Sequence, residues 1–379
     1  MNYTEFGNTK VQVSRLGFGC MRLPMVLSDG KMKVDEDQSI AMLRRGIDLG
    51  INYFDSGYIY SDGQSERILG QAIEGRRKDV IVSTKCPGQF VRKHGDYTRI
   101  LEEQLVRLGT NYIDFYHFHG INYESFMEID KNFGWYAEAL KAKDSGMIKH
   151  ISFSFHSRDF LSPAPDNMIE LIDTGYFESI LCQYNVLDQS NDRAMEHAKK
   201  KGLGVVVMGP LGGGRISGMP EAVASELGIK VSASAELGLR FVASNPHVDI
   251  ILSGMSSVTE LEENVGYVSS IEPLSKNEID GISKMMEENK RLSELYCTGC
   301  NYCMPCPQEV NIPYIFQMMN YHKIYGIKDY ARKCYSEIGS GWIRGKKADS
   351  CNECGECEAK CPQGIKIREQ LKESSEVLK

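Results

Sequence analysis

Eight times between residues 16 and 268, a short apolar run gives way to a longer stretch with the period of a helix. No other feature limits the fold as much. The apolar runs fall at 16–19, 52–54, 80–83, 112–118, 148–153, 179–183, 204–208 and 249–252. The helical stretches fall at 36–49, 64–73, 97–108, 123–143, 157–172, 190–200, 231–244 and 258–268. Antiparallel strands can be joined by two-residue turns, whereas parallel strands need long crossovers that are usually helical. The alternation therefore predicts a parallel α/β sheet, and eight units are the number that closes a (β/α)8 TIM barrel. An open doubly wound sheet shares the spacing. Residues 2–14 alternate apolar and polar around Gly7-Asn8 and predict a hairpin ahead of the first unit. Asp35 with Gln38 reads as a capping box that starts the first helix.

The cysteines divide the chain. Of twelve, only Cys20, Cys86 and Cys182 precede residue 297; nine follow. This shift places a domain boundary near residue 290, with residues 1–290 as the barrel and 291–379 as a small second domain. A charged helix over 276–295 links the two. Net charge is −7, which argues against a nucleic-acid surface. Neither a membrane-length apolar stretch nor a signal-peptide core is evident, so a cytoplasmic protein is expected. In a reducing compartment a cysteine cluster reads as metal binding rather than disulfides.

Chemistry-bearing residues recur where the strands end. Asn52-Tyr53-Phe54 runs into Asp55, with Tyr60 five residues on. Val80–Thr84 runs into Lys85. Tyr112–Phe118 runs into His119, with His117 at the same strand parity. A buried carboxylate needs a cation or donors, and a phenol can deliver a proton if a cation pulls its pKa down from ~10. Taken singly, Asp55 could be a turn former, Lys85 a rim lysine and His119 a structural histidine. Their order along the chain gives the set its weight.

Residues 10–270 resemble the aldo-keto reductase family. The matching segments are Asn52–Tyr60, Ser83-Thr84-Lys85, Ile113–His119, Gln183-Tyr184-Asn185, Gly209-Pro210-Leu211 and Leu261-Glu262-Glu263-Asn264. The resemblance implies an NAD(P)H-dependent oxidoreductase that interconverts a small carbonyl and an alcohol through Asp55, Tyr60, Lys85 and His119. Tyr60 would be the general acid or base, Lys85 would lower its pKa, Asp55 would hold Lys85, and His119 would orient the carbonyl.

The same resemblance implies a cofactor wall. Gly19, Cys20 and Met21 would meet the nicotinamide side, and Ser154 with Gln183 its amide, although Phe155 stands where Asn is common. Met208 takes the place of a stacking tyrosine. Gly209, Leu211, Gly213 and Arg215 form a loop suited to pyrophosphate. Ser253, Gly254 and Met255 lead into a helix N-terminus, and Glu260, Glu263 and Asn264 complete the set. Where NADPH-preferring relatives carry Lys and Arg for the 2′-phosphate, this chain carries Gly254 and Glu260. A weakened NADPH preference that admits NADH is expected.

In the second domain, Cys351-x2-Cys354-x2-Cys357-x3-Cys361-Pro362 has the bacterial [4Fe–4S] spacing. Cys297-x2-Cys300-x2-Cys303-x2-Cys306-Pro307 is one residue shorter before its Cys-Pro. In two-cluster ferredoxins the fourth cysteine ligates the other cluster. One cluster is therefore assigned to Cys297, Cys300, Cys303 and Cys361, and the other to Cys351, Cys354, Cys357 and Cys306. Zinc competes for paired cysteines, but two three-step runs ending in Cys-Pro favour iron–sulfur. The intervening residues 307–350 look helical, so the domain resembles an α-helical ferredoxin, with Cys334 a buried thiol. The tail after Ile367 reads as a solvated charge run. A second functional class stays open, an electron-transfer or interaction protein whose barrel is a scaffold. Either class admits a redox partner protein. Tyr123, Phe126, Phe133 and Trp135 could line a substrate pocket or belong to the core.

Overall fold

The computed structural model describes residues 1–28, 31–155, 167–186, 188–211, 228–229, 234–270, 272–294, 297, 303–323, 326–340, 343–361 and 364–379. Two compact units emerge, Met1–Gly213 with Gly238–Leu274, and Gly214–Leu237 with Ser275–Lys379.

The first unit opens with the expected hairpin, β1 (Tyr3–Glu5) and β2 (Gln12–Ser14), which pair antiparallel. Eight parallel strands then close a barrel: β3 (Leu16–Gly19), β6 (Tyr53–Asp55), β7 (Ile81–Pro87), β8 (Ile113–His119), β9 (Ile148–Phe155), β10 (Ser179–Gln183), β11 (Gly204–Met208) and β12 (Ile250–Ser253). All eight coincide with the predicted runs to within a few residues. β7 continues beyond Lys85, which thus sits within the strand rather than closing it. Phe6, between the hairpin strands, is fully buried against Tyr53, Phe115, Val206 and Ile250, so the hairpin closes the N-terminal end of the barrel.

Between the strands lie α1 (Glu36–Asp48), α2 (Gln64–Ile73), α3 (Asp96–Leu108), α4 (Tyr123–Phe133), α5 (Trp135–Asp144), α6 (Asn167–Asp173), α7 (Asp192–Lys200), α8 (Ser234–Ala243) and α9 (Val258–Ser269). Asp35 caps α1 by accepting from the Gln38 amide. Two expectations need correction, and one open alternative is resolved. The single helix predicted over 123–143 is two helices, broken where Gly134 takes a left-handed conformation with φ of 64°. The stretch between the first apolar run at 16–19 and the first helix, where no strand is expected, contains a second hairpin, β4 (Met25–Ser28) with β5 (Lys31–Val34). Phe126 and Trp135 are fully buried beside Phe118 and Phe177, hence core rather than pocket. The parts of the predicted helices over 157–166 and 231–233 lie outside the described residues.

The second unit is mainly helical: α10 (Lys276–Glu294), α11 (Ile312–Lys323), α12 (Lys328–Ser336), α13 (Glu356–Ala359) and α14 (Ile367–Val377). Its core gathers Val310, Ile315, Phe316, Cys334, Tyr335 and Leu371, and Cys334 is buried as expected. The charged tail is corrected too. Ile367, Leu371 and Leu378 fall on one helical face and are buried, because charges on the opposite face do not prevent an amphipathic helix from docking. Among the described residues no helix is long and apolar enough to cross a membrane.

Candidate active site and thiolate hollow

Adjacent parallel strands bring together residues far apart in the chain. The register opposes Asp55 to Ser83 and Lys85 to His117. Parity sends Ser83 and Lys85 to the same side, and likewise His117 and His119.

Lys85 is buried, and its ammonium donates to Asp55 Oδ1 and, at 2.5 Å, to the Ser56 carbonyl. Nζ stands 4.8 Å from the Tyr60 ring centre, close enough for the ammonium and the phenol to shift each other's pKa. Burial works to lower the Lys85 pKa, but Asp55 and Tyr60 outweigh it and hold the amine above its ordinary value. Asp55 is also buried, and burial pushes its carboxyl up against the opposing pull of Lys85 and Ser83. Its second oxygen, Oδ2, accepts from Ser83 Oγ at 2.6 Å.

Tyr60 reaches this cation because the chain folds back sharply after β6. Its amide donates to the Gly57 carbonyl at 3.0 Å. A Cβ at Gly57 would stand 3.0 Å from Tyr60 Cε1 and Cζ, so only glycine leaves the ring undisturbed. Ser61 and Asp62 then both adopt left-handed conformations before Gly63 leads into α2. The His119 ring meets the Tyr60 ring edge-on at 6.0 Å. The four predicted residues thus converge. One expectation about them changes: the Tyr60 pKa moves up. Burial contributes most; Lys85 pulls down and Asp55 pushes further up.

The strand beneath Lys85 is pinned by a network not anticipated from sequence. Gln104 Nε2 donates to the Lys85 carbonyl and to Thr84 Oγ1, both at 3.1 Å. Thr84 Oγ1 donates to the fully buried Glu66 at 2.6 Å, and Arg107 donates to the same carboxylate at 3.2 Å.

The expected cofactor residues lie around the C-terminal ends of β3, β9, β10, β11 and β12. Gly19 ends β3, and Cys20, fully buried, has its thiol pushed far up by burial first and then by Asp55. Met21 is exposed. Ser154 Oγ accepts from the Gly120 amide at 2.8 Å, which leaves its hydroxyl proton to donate. Gln183 Nε2 donates to Asp188 at 3.1 Å. Met208 packs against the interior core, Gly209 has a φ of 63°, and Leu211 is half-buried. Gly213 and Arg215 lie outside the described residues. Ser253 is buried and its Oγ accepts from Asn264, so Asn264 braces the loop. Met255 is buried, while Gly254, Glu260 and Glu263 are exposed. The Glu260 carboxylate accepts from Ser256 N at 2.7 Å and Ser256 Oγ at 3.0 Å, while Ser257 caps α9 by accepting from the Glu260 amide. A residue passed over in the sequence also appears. The stem of Arg22 lies 3.5 Å from where a Cβ at Gly254 would be, placing a cation beside this loop.

In the second unit a hollow is lined by Cys303, Cys306, Cys351, Cys354 and Cys357. Among the described residues no three His, Cys, Asp or Glu side chains close on one point as a single-ion site requires. Thiolates spread around a wider hollow fit a polynuclear cluster better than Zn²⁺, whose ligands stand ~2.3 Å from one centre. Cys297 and Cys361 are half-buried, and Cys300 lies outside the described residues.

Comparison with known proteins agrees with both parts. Residues 15–225 match the aldo/keto reductase family, and residues 296–366 match a 4Fe-4S dicluster domain. The chain is similar to L-galactose dehydrogenase of Arabidopsis thaliana, 30% identical over 316 residues that cover 76% of this chain and 95% of that protein. It is 24% identical to an oxidoreductase of Bacillus subtilis over 76% of this chain and 98% of that one. Among solved structures, an aldo-keto reductase of Bacillus halodurans in its holo form superposes with a TM-score of 0.60 at 25% identity, covering 75% of this chain and 96% of that one.

Proposed function

The chain belongs to the aldo/keto reductase family and carries a 4Fe-4S domain, and from that premise we propose that its barrel interconverts a small carbonyl and an alcohol with a nicotinamide cofactor. The observation that carries this reading is the buried Lys85, ion-paired to Asp55 with its ammonium 4.8 Å from the Tyr60 ring centre. A scaffold has no use for a buried ion pair aimed at a phenol.

When bound, the reduced nicotinamide supplies hydride to the carbonyl carbon. This chain's residues handle the oxygen. Tyr60 gives its proton to that oxygen as negative charge develops, and Lys85 stabilises the phenolate left behind. Asp55 keeps Lys85 charged and in place. His119 donates a hydrogen bond to the same oxygen, and losing such a donor costs roughly 10²–10³ in kcat. Because the Tyr60 pKa moves up, the phenol stays protonated at neutral pH. Carbonyl reduction is therefore the favoured direction there, and alcohol oxidation calls for alkaline conditions.

The residues fit NADH better than NADPH. Glu260 already accepts from the donors ahead of α9, and its charge repels a 2′-phosphate by about 1 kcal/mol at ~4 Å in water. Ser154 retains a hydroxyl proton for a nicotinamide carbonyl, and Arg22 offers positive charge for a diphosphate. In the second unit, Cys306, Cys351, Cys354 and Cys357 would hold one [4Fe–4S] cluster, and Cys297, Cys300, Cys303 and Cys361 a second. Such clusters pass single electrons, to or from a redox partner protein.

The test is NADH and NADPH oxidation by metal-replete protein against aldehydes, ketones and sugars, beginning with aldoses in view of the plant relative. Wild-type turnover that is lost in Tyr60→Phe, with NADH binding retained, supports the reading. Full activity in Tyr60→Phe would overturn it.

A further inference from the structure

Beneath the Lys85–Asp55 pair, the side chain contributed by β8 is His117, which is fully buried. Its Nε2 lies 2.8 Å from Ser83 Oγ and 3.9 Å from Asp55 Oδ2. Ser83 Oγ in turn donates to Asp55 Oδ2 at 2.6 Å.

A serine hydroxyl has one proton and two lone pairs, and an ionised carboxylate can only accept. With Asp55 paired to the Lys85 ammonium, the Ser83 proton must go to Asp55. Ser83 Oγ is then an acceptor toward His117, so Nε2 must carry a proton. Burial first, and then the Lys85 ammonium, hold the imidazole well below its ordinary pKa, so the ring is neutral. A neutral ring protonated on Nε2 has a bare Nδ1, and no hydrogen bond of ordinary geometry reaches Nδ1, while the Phe153 backbone beside the ring acts to raise its pKa. The protons of His117, Ser83, Asp55 and Lys85 are thereby assigned.

We propose that His117 is a positioning residue, whose neutral Nε2–H tautomer directs the Ser83 hydroxyl onto Asp55 and so holds the carboxylate that anchors Lys85 against Tyr60. The imidazole touches neither Tyr60 nor a carbonyl bound beside it. It acts through Ser83, and its N–H dipole faces the Asp55 charge. The proposal rests on the reductase reading for its effect on turnover, but the tautomer itself does not depend on that reading.

The experiment uses full-length, metal-replete protein with Ser83→Ala, His117→Leu, the double variant and His117→Gln, whose amide can still donate to Ser83. One lost hydrogen bond is worth ~0.5–1.5 kcal/mol, roughly 2- to 12-fold. The kcat for carbonyl reduction is expected to fall by about that factor in Ser83→Ala and in His117→Leu. The double variant should be no worse than the poorer single, because both act through one chain. His117→Gln should recover to within about threefold of wild type, and the KM for NADH should not move. The alkaline limb of the kcat profile should shift upward in His117→Leu as Tyr60 loses part of its support. The groups facing that phenol are Asp55, Lys85, His119 and Cys20, with Tyr53 and His117 in the layer below, and only the last is changed.

Independently of turnover, ¹⁵N-histidine spectra should contain one neutral Nε2–H ring between pH 6 and 9 that disappears in His117→Gln. A wild type without nicotinamide turnover would defeat the reductase reading and leave the spectrum to decide this proposal. An Nδ1–H or titrating His117 overturns it. So does a His117→Leu enzyme with wild-type kcat and profile, or a double variant whose losses multiply.

Discussion

Lys85→Met takes away the only Lys or Arg ion-paired to Asp55 among the described residues and leaves that carboxylate deep in the barrel. Burial already pushes the Asp55 carboxyl up in the wild type, with Lys85 the largest opposing influence. Without it the folded protein keeps Asp55 neutral by taking up a proton. The cost of that protonation bounds the damage. From an unfolded value of ~3.9, it is at most about 4 kcal/mol at pH 7, within the range for breaking a buried pair. The sign follows from linkage. The folded state binds the extra proton, so stability relative to wild type falls as pH rises through the window above ~3.9, by about 1.4 kcal/mol per unit, and recovers as pH falls. Urea unfolding of Lys85→Met and wild type at pH 5.5 and 7.5 should thus show a gap wider by roughly 2–3 kcal/mol at the higher pH. Asp55→Asn with Lys85→Met should close most of it, since no charge is left to bury. A gap independent of pH, or unrepaired by the double variant, would mean that Asp55 is not confined with Lys85 as the structure has it.

Three further outcomes are expected. Glu260→Lys replaces a carboxylate that accepts from Ser256 with a cation beside the same loop, and should raise the NADPH:NADH ratio of kcat/KM by roughly 10-fold or more, as two reversed charges of about 1 kcal/mol each imply. Cys306→Ser removes a sulfur ligand from the cysteine-lined hollow and should lower iron from about eight to about four atoms per chain, read by iron assay and visible absorbance. Ser61→Gly relieves a left-handed residue with φ of 51° and should stabilise the barrel by up to about 1 kcal/mol while lowering kcat, because Tyr60 is then held less firmly.

The barrel was legible because its two periods are backbone properties: side chains alternate along a strand and recur every 3.6 residues along a helix. Asp55, Lys85 and His119 were legible as polar residues at the ends of apolar runs. What escaped has physical reasons. Apolar spacing continues through 123–143 without interruption, so only the left-handed φ at Gly134 reveals the break. The second hairpin carries a usable signal, Asp29-Gly30 between alternating residues. Ile367, Leu371 and Leu378 also carried one, hidden among charges. The Ser83–His117 contact could not be read at all. It depends on the register between β7 and β8, and periodicity within either strand does not specify register.

TIM-barrel interiors are ordinarily filled by branched apolar side chains, and one side of this one is: Val206, Ile250 and Leu252 on β11 and β12. β6, β7 and β8 give Tyr53, Ile81 and Phe115 to the same apolar cluster and, farther along, carry the buried Asp55, Ser83, Lys85 and His117. Two buried charges persist there because hydrogen bonds serve them, Lys85 donating to Asp55 and Ser56, and both Asp55 oxygens accepting, from Lys85 and Ser83. A well-packed apolar replacement of such a pair is often neutral or stabilising by ~1–4 kcal/mol. Stability therefore gives no reason to keep it, and the proton transfer proposed for Tyr60 does. The layer under Asp55 follows from the same requirement. A carboxylate satisfied on only one oxygen would be free to turn, and the ammonium would turn with it. Ser83 closes the second oxygen, and His117 closes Ser83, so the polar set ends on a neutral ring where the apolar core resumes.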